Sequence, residues 1–181
     1  IKKKQLVKGI VNNPDPLSVA IVTSKWHRNH AVYKSAGPLV EQLIGKYKLT
    51  LIHLGADIPG SLVTEGFESV ERAYFKNHQL VLPDKLLNND FQLAYFPDIG
   101  MLDEGIWLSN ARIAPIQVCG YGHPDTTGCS EIDYFLGGDV EKDCADWYTE
   151  KLVLIPGLAQ HPAIPTAPRQ NNWVPSEKVR V

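Results

Sequence analysis

The sequence predicts an α/β fold, a three-layer, doubly wound domain built around a mainly parallel sheet. Short apolar runs rich in β-branched residues alternate with segments of helical periodicity, as strands and crossover helices do. The first run, Leu17 to Thr23, follows the turn-forming Asn13-Pro14-Asp15-Pro16 and has the unbroken apolarity of a strand buried on both faces. With 181 residues, 44% of them hydrophobic, the chain can enclose one full core and not two.

The elements follow in order. After the polar loop Ser24 to Asn29, the segment Ala31 to Tyr47 carries Val32, Leu39, Val40, Leu43 and Ile44 near helical spacing, with Gly37-Pro38 expected to kink or break the helix. Lys48 to Leu54 is expected as a strand, Ser61 to Asn77 as a helix, Gln79 to Leu82 as a short strand and Asp84 to Asn88 as a small helix. Phe91 to Phe96 and Ile113 to Cys119 read as strands on either side of a helical stretch between Met101 and Arg112. Ile132 to Leu136 and Lys151 to Ile155 are expected as edge strands or extended segments. Residues 1–16 read as a leader from a preceding region, 17–156 as the domain, and the proline-rich and polar stretch within 157–181 as a linker toward a further domain. The start, Ile1-Lys2-Lys3-Lys4, has neither a methionine nor the apolar run of a signal peptide or membrane span, so the chain reads as a piece of a longer protein.

Eighteen basic against twenty acidic side chains give a formal charge of -2. No broad positive field exists to gather nucleic acid or anionic lipid, and no nucleic-acid partner is expected. Cys119, Cys129 and Cys144 are odd in number and lack CxxC spacing, which argues against a disulfide framework and a structural zinc site and toward a reducing cytoplasm.

In an open parallel sheet, ligands bind beyond the carboxyl ends of the strands, so the loops that follow the strands carry the candidates. Trp26-His27-Arg28-Asn29-His30 leads into a helix, and His30 near its N-terminus is held neutral by the helix dipole. A neutral imidazole can exchange a proton with an acceptor hydroxyl or steer it; the alternative for His27 and His30 is ordinary loop and capping duty. Asp98, in Pro97-Asp98-Ile99-Gly100, either caps the next helix or faces the crevice. The richest loop is Gly120-Tyr121-Gly122-His123-Pro124-Asp125-Thr126-Thr127-Gly128, whose amides can hold an anionic or polyhydroxy ligand or simply form a tight turn. It is neither a Walker loop nor a first-strand GxGxxG.

The run Ser109 to Phe135, SNARIAPIQVCGYGHPDTTGCSEIDYF, resembles the O-GlcNAc transferase and bacterial N-glucosyltransferase family. That family reads Arg-(Leu/Ile)-Ala-Pro-Ile-Gln, then Gly-(Tyr/His)-Pro-x-Thr-(Thr/Ser), then Asp-Tyr. WHRNHAVYKS, Trp26 to Ser35, is similar to the family's histidine-bearing loop and helix, and AYFPDIGM to the strand and turn before the Ala-Pro-Ile-Gln motif. The resemblance covers roughly 17–156 and implies the first, acceptor-side Rossmann-like half of a two-domain GT-B catalytic region. His123 matches a histidine that the N-glucosyltransferase branch places before proline, and His30 a loop histidine of the family. Gly128 matches the O-GlcNAc branch, and Ala36-Gly37 replaces a His-Ser of the other, so the chain mixes features of both.

The resemblance implies inverting transfer from a UDP-sugar to a protein, peptide or glycan acceptor, with no metal and no cofactor beyond the co-substrate. The donor would be bound mainly by a second domain. His123 and His30 are the candidate catalytic residues, and His27, Asp98, Gly122, Pro124, Thr126 and Thr127 the candidate substrate-binding ones. Two other readings stay open: a non-catalytic Rossmann-like module that binds peptide or sugar, and a piece of a GT-B-like sugar-nucleotide epimerase.

Overall fold

A computed structural model describes residues 13–56, 59–122 and 125–160. Its centre is an eight-stranded sheet in the order β4-β3-β2-β1-β5-β6-β7-β8. The strands are β1 (Asp15–Thr23), β2 (Lys48–Leu54), β3 (Ser69–Lys76), β4 (Gln79–Val81), β5 (Phe91–Phe96), β6 (Ile116–Cys119), β7 (Tyr134–Gly137) and β8 (Lys151–Leu154). All neighbours pair in parallel except β3 with β4. The expected α/β architecture is therefore what the chain forms.

The alternation of side chains across the pleat packs an apolar layer on each face of the one sheet. Val19 and Ile21 of β1, Leu49 and Leu51 of β2 and Tyr95 of β5 join Trp26, Val40 and Val63 beneath α1 (Ala31–Glu41). Ala20, Val22, Ile52, Leu54, Ala94 and Phe96 point the other way. They pack with Leu86 of α2 (Asp84–Leu87), Leu108 of α3 (Asp103–Ser109), Ile113 and Phe135. Each fully buried aliphatic or aromatic side chain contributes about 1.5–3 kcal/mol, so the central strands, covered on both sides, hold the domain together.

Four sequence expectations need correction. Ser69–Lys76 is a strand, not part of a helix. Val63, Phe67, Val70 and Tyr74 repeat at three to four residues and imitate a helical face. The segment instead pairs with β2 from Thr50↔Ser69 to Leu54↔Ala73 and turns back into β4 through Asn77 and His78. These two have φ of 49° and 59°, the left-handed pair that a two-residue hairpin turn requires. Second, α1 stops at Glu41, short of Tyr47, and runs through Pro38 without a break.

The strand expected from Ile113 begins only at Ile116, because the amides of Ile113 and Ala114 donate to the Gln117 side-chain oxygen (2.6 and 3.2 Å) in place of a neighbouring strand. Finally, the segment within Ile132 to Leu136 forms part of β7, which lies inside the sheet, with β8 at the edge. Residues 161–181, most of the expected linker, and 1–12 of the expected leader lie outside the described residues. Among the described residues, no helix is long and apolar enough to cross a membrane, and Cys119, Cys129 and Cys144 are free thiols.

Candidate functional site

The chain leaves β1 toward one edge of the sheet through β2, and β5 begins the other half, so the order reverses between β1 and β5. Such a switch point opens a crevice at the carboxyl ends of the two strands. The loops after β1, β5 and β6 all emerge at this end, since these three strands are parallel neighbours.

Asp98 ties two of the loops together. It is only 2% exposed, and its Oδ2 accepts from the Ser24 hydroxyl at 3.1 Å and, at the limit of bonding, from the Ser24 amide at 3.5 Å. Its other oxygen, Oδ1, has no hydrogen-bond partner. Burial pushes the carboxyl up to about 6, against the hydrogen bonds of Thr23 and Ser24 and the charge of Lys25, which pull it down. Asp98 does not cap α3, whose N-cap is Leu102. The third loop rests on the same place. A Cβ on Gly122 would meet the Pro97 carbonyl oxygen at 2.1 Å and the Asp98 Cα at 2.8 Å, so only glycine lets the β6 loop lie this close.

His30 is the N-cap of α1, and its Nδ1 accepts from the Val32 amide at 3.2 Å. Desolvation, followed by His27 and Lys25, holds its pKa below the usual histidine value. A neutral ring that accepts at Nδ1 carries its proton on Nε2, so His30 offers a donor and not a free base. The His27 ring lies edge-on to it with centroids 5.2 Å apart, and the His27 backbone bridges to Leu62. Of the two sequence alternatives, the capping duty of His30 is the one the structure displays.

Thr126 and Thr127 line a cavity of about 270 Å³ with Ile99, Gly100, Ile106, Asp125 and Cys129. Their hydroxyls are committed inward. Thr126 donates to Glu150 Oε2 at 2.7 Å, and both the amide (2.9 Å) and hydroxyl of Thr127 donate to Oε1. Burial pushes the Glu150 carboxyl up, yet the bonds from Thr127 and Thr126 outweigh it and hold it below its ordinary value. His123 and Pro124, expected as site residues, lie outside the described residues. Among the described residues no three His, Cys, Asp or Glu side chains group as metal ligands.

No protein-family model matches the chain. The UDP-glucose:protein N-beta-glucosyltransferase of Actinobacillus pleuropneumoniae serotype 5b is 28% identical over 158 residues, which cover 86% of this chain and 25% of that protein. Its serotype 7 counterpart is 32% identical over 120 residues, 65% of this chain and 19% of that protein. The chain thus spans about a quarter or less of the length of these relatives. A variant of the Thermobaculum terrenum O-GlcNAc transferase shares the fold, with a TM-score of 0.58 and 19% identity over 92% of this chain and 33% of that one.

The chain is similar to the O-GlcNAc transferase and bacterial N-glucosyltransferase family, to the N-glucosyltransferases in sequence and to an O-GlcNAc transferase in fold. Its fold is the Rossmann-like architecture of that GT-B family, and it is related to glycosyltransferases. Within the family motif, the structure separates scaffold from crevice. Arg112 bridges to Glu131 at 2.9 Å and Asp133 at 2.6 Å. Gln117, fully buried, accepts two amides and donates to the Glu131 carbonyl at 2.7 Å. Asp133 also accepts the Gln117 amide at 2.8 Å. These residues fasten β6 to the chain entering β7, while Gly122, in the glycine loop after Cys119, lies against the turn after β5.

Sequence reasoning missed Ser24 and Glu150. Ser24 is the first residue beyond the expected strand, so the rule that locates ligands at strand ends points to it. Glu150 has no local signal, because its partners stand 23 and 24 residues away.

Proposed function

We propose that this chain is the acceptor-side half of an inverting glycosyltransferase that moves a sugar from a UDP-sugar to a protein acceptor, and that it is inactive alone. What supports the reading is the convergence of three loops on Asp98 at the switch point, in a chain similar to this family. In the reaction, the acceptor nucleophile bonds to the anomeric carbon as the bond to the UDP oxygen breaks, and the acceptor's proton leaves to a base. Positive charge develops on the sugar and negative charge on the diphosphate, and preorganised dipoles stabilise both. His30, with Nδ1 occupied and a proton on Nε2, orients an oxygen of acceptor or sugar. His123, assigned by resemblance, orients the same reactants from the β6 loop, and Gly122 keeps that loop close. The departing diphosphate is neutralised by a lysine and a helix N-terminus of a donor-binding domain, and the scheme calls on no metal.

Calorimetric titration of the 181-residue chain with UDP tests this reading. Weak or absent binding, with neither hydrolysis nor transfer from UDP-sugars, is expected; micromolar affinity would contradict it. In a full-length enzyme, His123→Ala is expected to lower turnover far more than thermal stability, and wild-type turnover would remove the role given to His123.

A further inference from the structure

We propose that Asp98 is a positioning residue of this crevice, which acts through Ser24 to hold the loop that presents His27 and His30. The inference rests on the transferase reading for its functional meaning and on geometry for its mechanical part. A carboxylate kept only for folding is ordinarily satisfied at both oxygens once buried. Asp98 is buried, yet Oδ1 has no partner, and the bonds that hold its carboxyl come from Thr23 and Ser24 at the end of β1.

From Ser24 onward the loop is tied at each step. The Lys25 amide donates to Thr23 Oγ1 at 3.0 Å, the His27 amide to the Lys25 carbonyl at 3.1 Å and the His30 amide to the His27 carbonyl at 2.9 Å. His30 Nδ1 then takes the Val32 amide, and the Trp26 carbonyl takes the Val63 amide at 3.0 Å. A loop so knitted moves as a unit, so a change at its first residue reaches both imidazoles. The β6 loop bears on the same residue from the other side, where Gly122 touches the Asp98 backbone. Asp98 is therefore placed to set the spacing of both loops.

Lys25 faces Asp98 from the β1 loop and Tyr95 from its own strand, and of the described residues of the β6 loop Gly122 bears on it through its backbone. With its carboxyl raised to about 6, Asp98 changes charge well above the ordinary carboxylate range. Its grip on Ser24 changes with it.

The test compares the wild-type 181-residue chain with Asp98→Asn, whose amide oxygen can still accept from Ser24 but cannot ionise. Nuclear magnetic resonance would follow the Ser24 and Val32 amides and the His27 and His30 ring signals from pH 4.5 to 8. A titration with a midpoint near 6 at Ser24 that Asp98→Asn abolishes, with altered positions of both imidazole signals, is expected. If the His27, His30 and Val32 signals of the variant superimpose on wild type at every pH, the proposal is overturned. In the full-length protein, Asp98→Asn is expected to lower kcat roughly tenfold or more while leaving the donor KM unchanged, and Ser24→Ala to do the same. An equal loss at all pH values with the acid limb of the profile intact would reduce Asp98 to a folding role. Should wild-type protein show no transfer at all, the transferase reading falls, and the resonance experiment still decides whether Asp98 positions the loop.

Discussion

The Ser24 hydroxyl donates to Asp98 Oδ2 at 3.1 Å across the seam where β1 and β5 run side by side. The bond adds a side-chain tie to the backbone ladder between β1 and β5, at the point where the strand order reverses. It also holds a buried titratable group at the carboxyl ends of these strands, with consequences for stability.

Because the Asp98 carboxyl is raised from 3.8 to about 6 by folding, the folded state holds a proton that the unfolded chain releases earlier. Its stabilising contribution is complete below pH 3.8 and is lost as pH rises through about 6. Over that interval the cost of ionisation reaches about 3 kcal/mol, at roughly 1.4 kcal/mol per pH unit. Asp98→Asn escapes this cost. Urea unfolding at pH 4 and pH 7.5 is expected to show the variant gaining stability relative to wild type as pH rises, by up to about that amount. A pH-independent difference would mean that folding does not shift the Asp98 carboxyl.

His30→Ala removes the acceptor for the Val32 amide and is expected to cost about 1 kcal/mol at pH 8. The sign with pH is opposite to that of Asp98. A histidine whose folded pKa is lowered stabilises above its unfolded value of 6.5, and the contribution fades as pH falls through the lower folded value. The gap between variant and wild type should therefore shrink toward pH 5, as read by chemical denaturation at both pH values.

Gln117→Ala strands the amides of Ile113 and Ala114 and leaves the Glu131 carbonyl without its donor. Leaving such buried groups unpaired is expected to destabilise the chain by about 3 kcal/mol or more. A lowered urea midpoint at unchanged slope would mark a loss of native stability alone.

Gly122→Ala forces a methyl against backbone, for which no side-chain rotation can make room. A loss of about 1–3 kcal/mol is expected, with faster amide exchange in the loops after β5 and β6. The control is Gly60→Ala, which has nothing within 4 Å and an ordinary φ, and should change the melting temperature little.

Much of the architecture was legible because strand and helix periodicities are local properties. Leu17 to Thr23, Lys48 to Leu54 and Phe91 to Phe96 are apolar on both faces, and each became an interior parallel strand. Ser69–Lys76 was not legible for the same local reason. Its helical spacing of apolar residues was overridden by pairing with β2, while the deciding turn conformation at Asn77-His78 rests on two residues that carry no glycine signal. The motif around Arg112 and Gln117 carried the family resemblance, and its side chains fasten strands together.

The amino-acid order by itself determined the layered α/β class, the helix that begins after His30, and the kinship with glycosyltransferases. Only the folded chain decided that Asp98 would clasp Ser24, that Thr126 and Thr127 would serve Glu150, and that Gly122 would press on the β5 turn. The reason is distance along the chain. Periodicity and capping act over a few residues and can be read in place, whereas these contacts join groups 23 to 74 positions apart, and their partners are chosen by packing.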